Sequence, residues 1–199
     1  RPPSRLLRSI AAQIEGDMRR MGRHPAESVH ALRRRVKKLG AILRLVRKHV
    51  PARTLLRIKA TARLLKDAFA ISRDREVMKK LCEDLGIPPE AAGLAAGGEP
   101  SRPAGTPRPP QAARGLRGEL MQLTLESLTR KQISAAFRLT RKKERKAWKH
   151  ARRERSTEAL HAWRKQVKTL YFQMLFLCQR GGGTARRLKL ADRLGHRLG

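Results

Sequence analysis

The sequence predicts an all-α protein, and three observations carry that prediction. Apolar residues recur at three- and four-residue spacing along most of the chain, and no segment alternates polar and apolar residues with period two. Gly and Pro fall between the periodic stretches as stops. One amphipathic segment, Glu27–Val46, is repeated residue class for residue class at Glu158–Leu177.

The elements follow in order. Leu6, Leu7, Ile10, Ile14 and Met18 predict a first helix over Arg5–Met21. Gly22 ends it, and Pro25 suits the first position of the next, the first repeat helix, which runs to about His49 and stops at Pro51. Ala52–Phe69 and Asp74–Leu85 read as two further helices, closed by Leu85-Gly86-Ile87-Pro88-Pro89. Residues 86–110 hold much of the Gly and Pro and read as a linker. Leu116, Leu120, Leu123 and Leu128 predict one helix from about Gln111 through Thr129. The most basic stretch, Arg130–Arg155, follows, relieved by Ile133, Ala136, Phe137, Leu139, Ala147 and Trp148. Ser156-Thr157-Glu158 offers a hydroxyl to free amides and opens the second repeat helix, which reaches about Gln179. Gly181–Gly183 is a turn, and Thr184–Leu198 is a last basic amphipathic helix. The organisation is one domain over 1–199, with a first half 1–85, the linker, and a second half 111–199.

Both repeats read Glu-x-x-His-x-x-Arg-basic-x-x-Lys: Glu27, His30, Arg33, Arg34 and Lys37, then Glu158, His161, Arg164, Lys165 and Lys168. At 100° per residue Arg33 and Lys37 lie within about 60° of His30, with Arg34 about 40° to the other side. Leu32, Val36, Leu39, Leu43 and Val46 gather on the opposite face, matched by Trp163, Val167, Leu170, Met174 and Leu177. One copy alone would be an ordinary amphipathic helix with a solvated basic face. Two copies at fixed offsets point to one histidine-and-cation surface built twice and converging on one ligand. Glu27 and Glu158 read as first-turn residues favoured by the helix dipole.

Charge names the ligand class. The 199 residues carry 48 Lys and Arg against 16 Asp and Glu, a formal +32. Such a chain repels itself and calls for a polyanion: nucleic acid, inorganic polyphosphate or an anionic membrane surface. Specific nucleic-acid readout lacks a motif, and with aromatics at 4% there are few rings to stack bases, although the run Arg130–Arg155 can grip phosphates. No P-loop, paired-carboxylate site or nucleophile–base set is present, and His24, His49, His150 and His196 follow no metal-ligand spacing. No enzyme activity, metal or cofactor is therefore expected. Cys82 and Cys178 lie on apolar stretches and read as reduced, buried thiols, in keeping with a bacterial or archaeal cytoplasm. No stretch approaches 18 apolar residues.

The paired His-x-x-Arg-x-x-x-Lys helices, together with Ser72-Arg73-Asp74-Arg75-Glu76-Val77, resemble the CHAD family of histidine-containing α-helical domains. The first motif is His30-Ala-Leu-Arg33-Arg34-Arg35-Val36-Lys37-Lys38-Leu39-Gly40, and the second is Leu160-His161-Ala-Trp-Arg164-Lys165-Gln-Val-Lys168-Thr169-Leu170-Tyr171-Phe172. The resemblance covers nearly the whole chain. It implies two four-helix bundles related by a pseudo-two-fold axis, a basic cavity between them that binds inorganic polyphosphate, and association with polyphosphate granules. Carried onto this sequence, the binding residues are His30, Arg33, Arg34, Lys37 and Lys38 in one half and His161, Arg164, Lys165 and Lys168 in the other. Arg63, Lys66 and Arg73, then Lys189 and Arg193, are further candidates, each against the reading of a solvated surface charge. Gly40, Tyr171 and Thr169 stand where the family carries basic residues, so the anion surface is expected to be lopsided. The chain begins at Arg1 and ends where family members continue into a further helix. A shortened second half is expected to expose apolar surface that a partner or second copy covers. General nucleic-acid backbone binding is the alternative function.

Overall fold

The computed structural model describes residues 3–88, 108–125 and 128–178, with 189 and 193 as isolated positions. These residues form seven α-helices and no strand: α1 Pro3–Arg20, α2 Pro25–Val46, α3 Ala52–Asp67, α4 Ala70–Leu85, α5 Pro109–Met121, α6 Arg130–Glu154 and α7 Thr157–Cys178. A single 3-10 turn, Arg47–His49, extends α2 toward Pro51. The all-α expectation holds. The expected last helix over 184–198 lies outside the described residues apart from Lys189 and Arg193, which are helical and exposed. Most of the linker, 89–107, also lies outside them.

Local chemistry sets the boundaries. Pro25 occupies the first turn of α2, where its missing N–H costs nothing. The Ser156 hydroxyl accepts from the Ala159 amide at 3.2 Å and opens α7, as its position before Thr157 suggested. Gly86 ends α4 at φ +66°, its amide directed to the Glu83 carbonyl while the Ile87 amide reaches the Cys82 carbonyl at 2.9 Å. That pattern satisfies the last carbonyls and needs the left-handed conformation glycine tolerates. Arg155 adopts a similar conformation, φ +51°, to turn α6 directly into α7.

Two boundaries differ from the sequence expectation. Asp74 does not begin a helix; α4 starts at Ala70, so Ser72-Arg73-Asp74 lies within its first turns. The single helix expected over Gln111–Thr129 is interrupted between Met121 and Arg130. Thr129 and Gln132 explain the restart. The Gln132 amide donates to the Thr129 hydroxyl at 3.3 Å, and the Thr129 amide donates to Gln132 Oε1 at 2.9 Å. Leu123, Leu125 and Leu128 in the intervening segment are buried, which anchors it against the core without helical geometry.

Packing joins the chain on both sides of the linker. α1 lies against α2 and α5, and α3 lies against α2 and α5, so these four helices surround one core. Leu7, Ile10 and Ile14 of α1, Leu32, Leu39 and Ile42 of α2, Ile58 and Leu65 of α3, and Leu116 and Leu120 of α5 are fully buried there. α6 and α7 form a hairpin with its own small cluster of Ala151, Ala159, Trp163 and Val167. Both helices also pack on α2, and Phe176 of α7 enters the main core. The five apolar positions of the first repeat are all buried, whereas Leu170, Met174 and Leu177 of the second are only partly so. Cys82 is buried and Cys178 half-buried, and no disulfide joins them. Val77, Met78, Leu81 and Leu85 leave an apolar stripe of α4 exposed.

A buried charge group fixes α1 to α2. Asp17 is 1% exposed; Arg35 of α2 closes on its Oδ2, and Arg20 donates to its Oδ1 at 2.9 Å. Arg35 also donates to the Gln13 carbonyl at 3.0 Å. Burial lowers the Arg35 pKa, because withdrawal from water disfavours the charged guanidinium.

Candidate functional site

The two repeat helices touch. Gln173 of α7, fully buried, donates through Nε2 to the Ala41 carbonyl of α2 at 2.9 Å. Arg44 donates to the Thr169 hydroxyl at 3.4 Å. Passing from Ala41 to Arg44 along α2 corresponds to passing backwards from Gln173 to Thr169 along α7, so the contacts run in opposite directions. His30 lies eleven residues before Ala41 and His161 twelve before Gln173. At ~1.5 Å per residue each histidine is about 17 Å from the contact along its own helix. The histidines therefore sit on separate arms of the α2–α7 pair.

The matched positions His30/His161, Arg33/Arg164 and Arg34/Lys165 share their exposure, whereas Lys37 is exposed and its counterpart Lys168 half-buried. On α2, His30, Arg34 and Lys37 are exposed while Arg33 and Lys38 are half-buried. On α7, His161 and Lys165 are exposed while Arg164 and Lys168 are half-buried. Among the described residues none of Arg34, Lys38, Arg164, Lys165 or Lys168 forms an ion pair with a carboxylate. Desolvation holds the Lys38 ammonium below the usual lysine range, with Arg34 and Arg35 adding repulsion. Lys168 is lowered in the same way, first by desolvation and then by Arg164. The Nε of Arg164 is buried and has no acceptor among the described residues. A buried donor without an acceptor is costly and uncommon, and an anion would satisfy it.

The remaining predicted residues are distributed less evenly. Arg33 donates to the Lys66 carbonyl at 3.2 Å, which places α2 against the C-terminal end of α3 and brings Lys66 to the α2 face. Asp67 partly neutralises this group, lying 3.1 Å from Lys66 Nζ and 3.8 Å from Arg63 Nε. Arg73 is helical in α4, but its side chain lies outside the described residues. Lys189 and Arg193 are exposed. Thr169, in place of a family cation, makes its own bond to the Lys165 carbonyl at 2.9 Å.

A further cationic surface lies within the basic run Arg130–Arg155, whose capacity to grip phosphates the sequence suggested. Arg138, Arg141, Lys142, Arg145, Lys146 and Lys149 form one exposed cationic stripe along α6. Their three- and four-residue spacing was legible, but only the fold separates this outward stripe from the side facing α7.

Among the described residues no group of three or more His, Cys, Asp or Glu could hold a metal ion. No helix among them is long and apolar enough to cross a membrane. The class that fold and site define is an all-α domain with repeated histidine- and cation-bearing helices. The chain belongs to the CHAD family, whose domain model matches residues 4–199. That family is associated with polyphosphate binding and is generally non-catalytic. No curated protein and no solved structure shows a match.

The lowered lysines give opposite pH signs for stability and binding. Below its lowered folded pKa each ammonium is charged at a desolvation cost the unfolded chain does not bear. Between that value and the ordinary 10.5 the unfolded state binds more protons, so stability rises with pH. Anion affinity falls over the same range as the charges are lost. Lys38→Met is expected to raise the melting temperature slightly without anion while weakening polyphosphate binding several-fold. Thermal melts and titrations from pH 8 to 10.5 check both signs.

Proposed function

We propose that the protein binds inorganic polyphosphate along the cationic faces of α2 and α7 and leaves it chemically unchanged. The observation that carries this reading is the unsatisfied cationic chemistry of both arms. Each arm holds a half-buried lysine whose pKa is lowered by desolvation, Lys38 beside Arg34 and Lys168 beside Arg164. Among the described residues no carboxylate pairs with these four groups, and the buried Arg164 Nε has no acceptor. Such groups gain most from a dense anion. The arms lead away from their contact, so a single phosphate is too small to engage both, whereas a flexible chain of phosphates can follow them. His30 and His161 add cationic contacts when protonated. Arg63, Lys66, Arg73, Lys189 and Arg193 extend the track in this reading, with Arg63 and Lys66 weakened by Asp67. The protein would then reside with polyphosphate stores, such as cytoplasmic granules.

The test is competition at physiological salt. Labelled long-chain polyphosphate is expected to be displaced by unlabelled polyphosphate at far lower phosphate concentration than by double-stranded DNA. Equal displacement by the two would reject a polyphosphate-selective site. Chain length after incubation with divalent metal is expected to be unchanged; shortened product would reject the non-catalytic reading.

A further inference from the structure

We infer that α6 carries a second binding surface, for single-stranded nucleic acid, with Trp148 as a base-stacking platform. The surface is distinct from the α2–α7 arms. On α6 the residues that meet α7 include Glu144, Ala147 and Ala151, with Trp148 at the margin of that side. Glu144 accepts from Trp163, the two alanines pack in the hairpin cluster, and the Trp148 ring touches that of Trp163. At 100° per residue, Arg138, Arg141, Lys142, Arg145, Lys146 and Lys149 centre roughly 150° round the helix from that side. The stripe therefore points away from α7 and spans about 16 Å of helix. None of the six has a carboxylate partner among the described residues, and all six are exposed.

The aromatic component separates this surface from a plain phosphate track. Trp148 falls beside Arg141 at the edge of the stripe and is 41% exposed. Its ring lies 4.5 Å from that of Trp163, tilted by 41°. Trp163 is itself fixed: it is buried, and its indole Nε1 donates to Glu144 Oε1 at 2.8 Å. Trp148 thus rests on a rigid support, with an accessible part flanked by cations. Stacking on such a ring requires a base, which polyphosphate lacks, and favours a single strand, whose bases are free. Duplex DNA presents phosphates to the stripe but no unstacked base to Trp148.

The experiment titrates the full chain with a 20-nucleotide oligo-dT, the corresponding duplex and polyphosphate, following tryptophan fluorescence and, separately, a labelled ligand. Oligo-dT is expected to quench fluorescence where polyphosphate at saturation does not. Trp148→Ala is expected to weaken oligo-dT about 10-fold while changing polyphosphate less than twofold. Trp148→Phe keeps a ring against Trp163 and is expected to lose less, guarding against a folding artefact. Arg141→Gln/Arg145→Gln/Lys149→Gln is expected to lower the oligo-dT salt slope by about 2. An oligo-dT affinity unmoved by Trp148→Ala would overturn the inference. So would equal loss of duplex and single-strand binding in that variant, or loss of oligo-dT binding through Arg34→Gln/Lys165→Gln as complete as through the α6 substitutions. The polyphosphate titration stands as its own arm, so failure of either site is read separately.

Discussion

Arg34→Gln/Lys37→Gln/Lys165→Gln/Lys168→Gln is expected to weaken polyphosphate binding by about 10²–10³-fold near 0.1 M salt. The estimate comes from counterion release. A flexible linear polyanion gives a salt slope of about −0.7 per neutralised charge, so four lost contacts reduce the slope by about 3. Glutamine keeps helix propensity close to that of Lys and Arg, so α2 and α7 should persist. The control matters because the protein is so cationic. Arg53→Gln/Lys59→Gln/Lys80→Gln/Lys131→Gln removes the same charge from exposed positions outside the two repeat helices. It is expected to cost less than 10-fold. Calorimetric titration at three salt concentrations checks both variants, and equal losses would mean that net charge rather than the repeat helices binds the chain.

Asp17→Ala is expected to lower the melting temperature by about 6–12 °C. Breaking a buried ion pair costs about 3–5 kcal/mol, because the surviving charge is left without compensation. Arg35 is about a quarter exposed, and Arg20 is mostly so, which argues for about 3 kcal/mol. For a chain of this length each kcal/mol shifts the transition by roughly 2–4 °C. The penalty belongs to the orphaned arginine, so a second substitution should relieve it. Asp17→Leu/Arg35→Met, which replaces both partners by apolar groups, is expected to recover most of the loss. Failure to recover would assign the effect to packing around Asp17. Arg35 sits between Arg34 and Lys38, so the single variant should also loosen the α2 arm and weaken polyphosphate binding without removing any cation from it.

The fold was readable where periodicity and punctuation agree. Leu32, Val36, Leu39, Leu43 and Val46 share one face of a 3.6-residue helix, and all five are buried. Gly86 and Ser156 mark helix ends by local chemistry that any helix would need. The break between α5 and α6 was not readable, because Leu116, Leu120, Leu123 and Leu128 fit a helix as written. The decision came from Thr129 and Gln132 and from burial of the leucines between the helices. The candidate site divides in the same way. Offsets along the chain identified the duplicated cations, but the contact between Ala41 and Gln173, the desolvation of Lys38 and Lys168, and the stranded Nε of Arg164 depend on neighbours distant in sequence.

By itself the sequence determined an all-α chain of the CHAD family, its extreme cationic charge and the two matching histidine-bearing helices. These are properties of composition and short-range spacing, which the backbone's helical period converts directly into faces. Only the tertiary structure decided that α5 joins α1, α2 and α3 around one core, that the histidines occupy separate arms, and that the α6 stripe faces away from α7 beside Trp148. Those outcomes depend on which apolar faces meet across long chain separations. Burial then changes what identical side chains do, so that of two adjacent lysines on α2 Lys37 is exposed while Lys38 is half-buried and its pKa is lowered by desolvation.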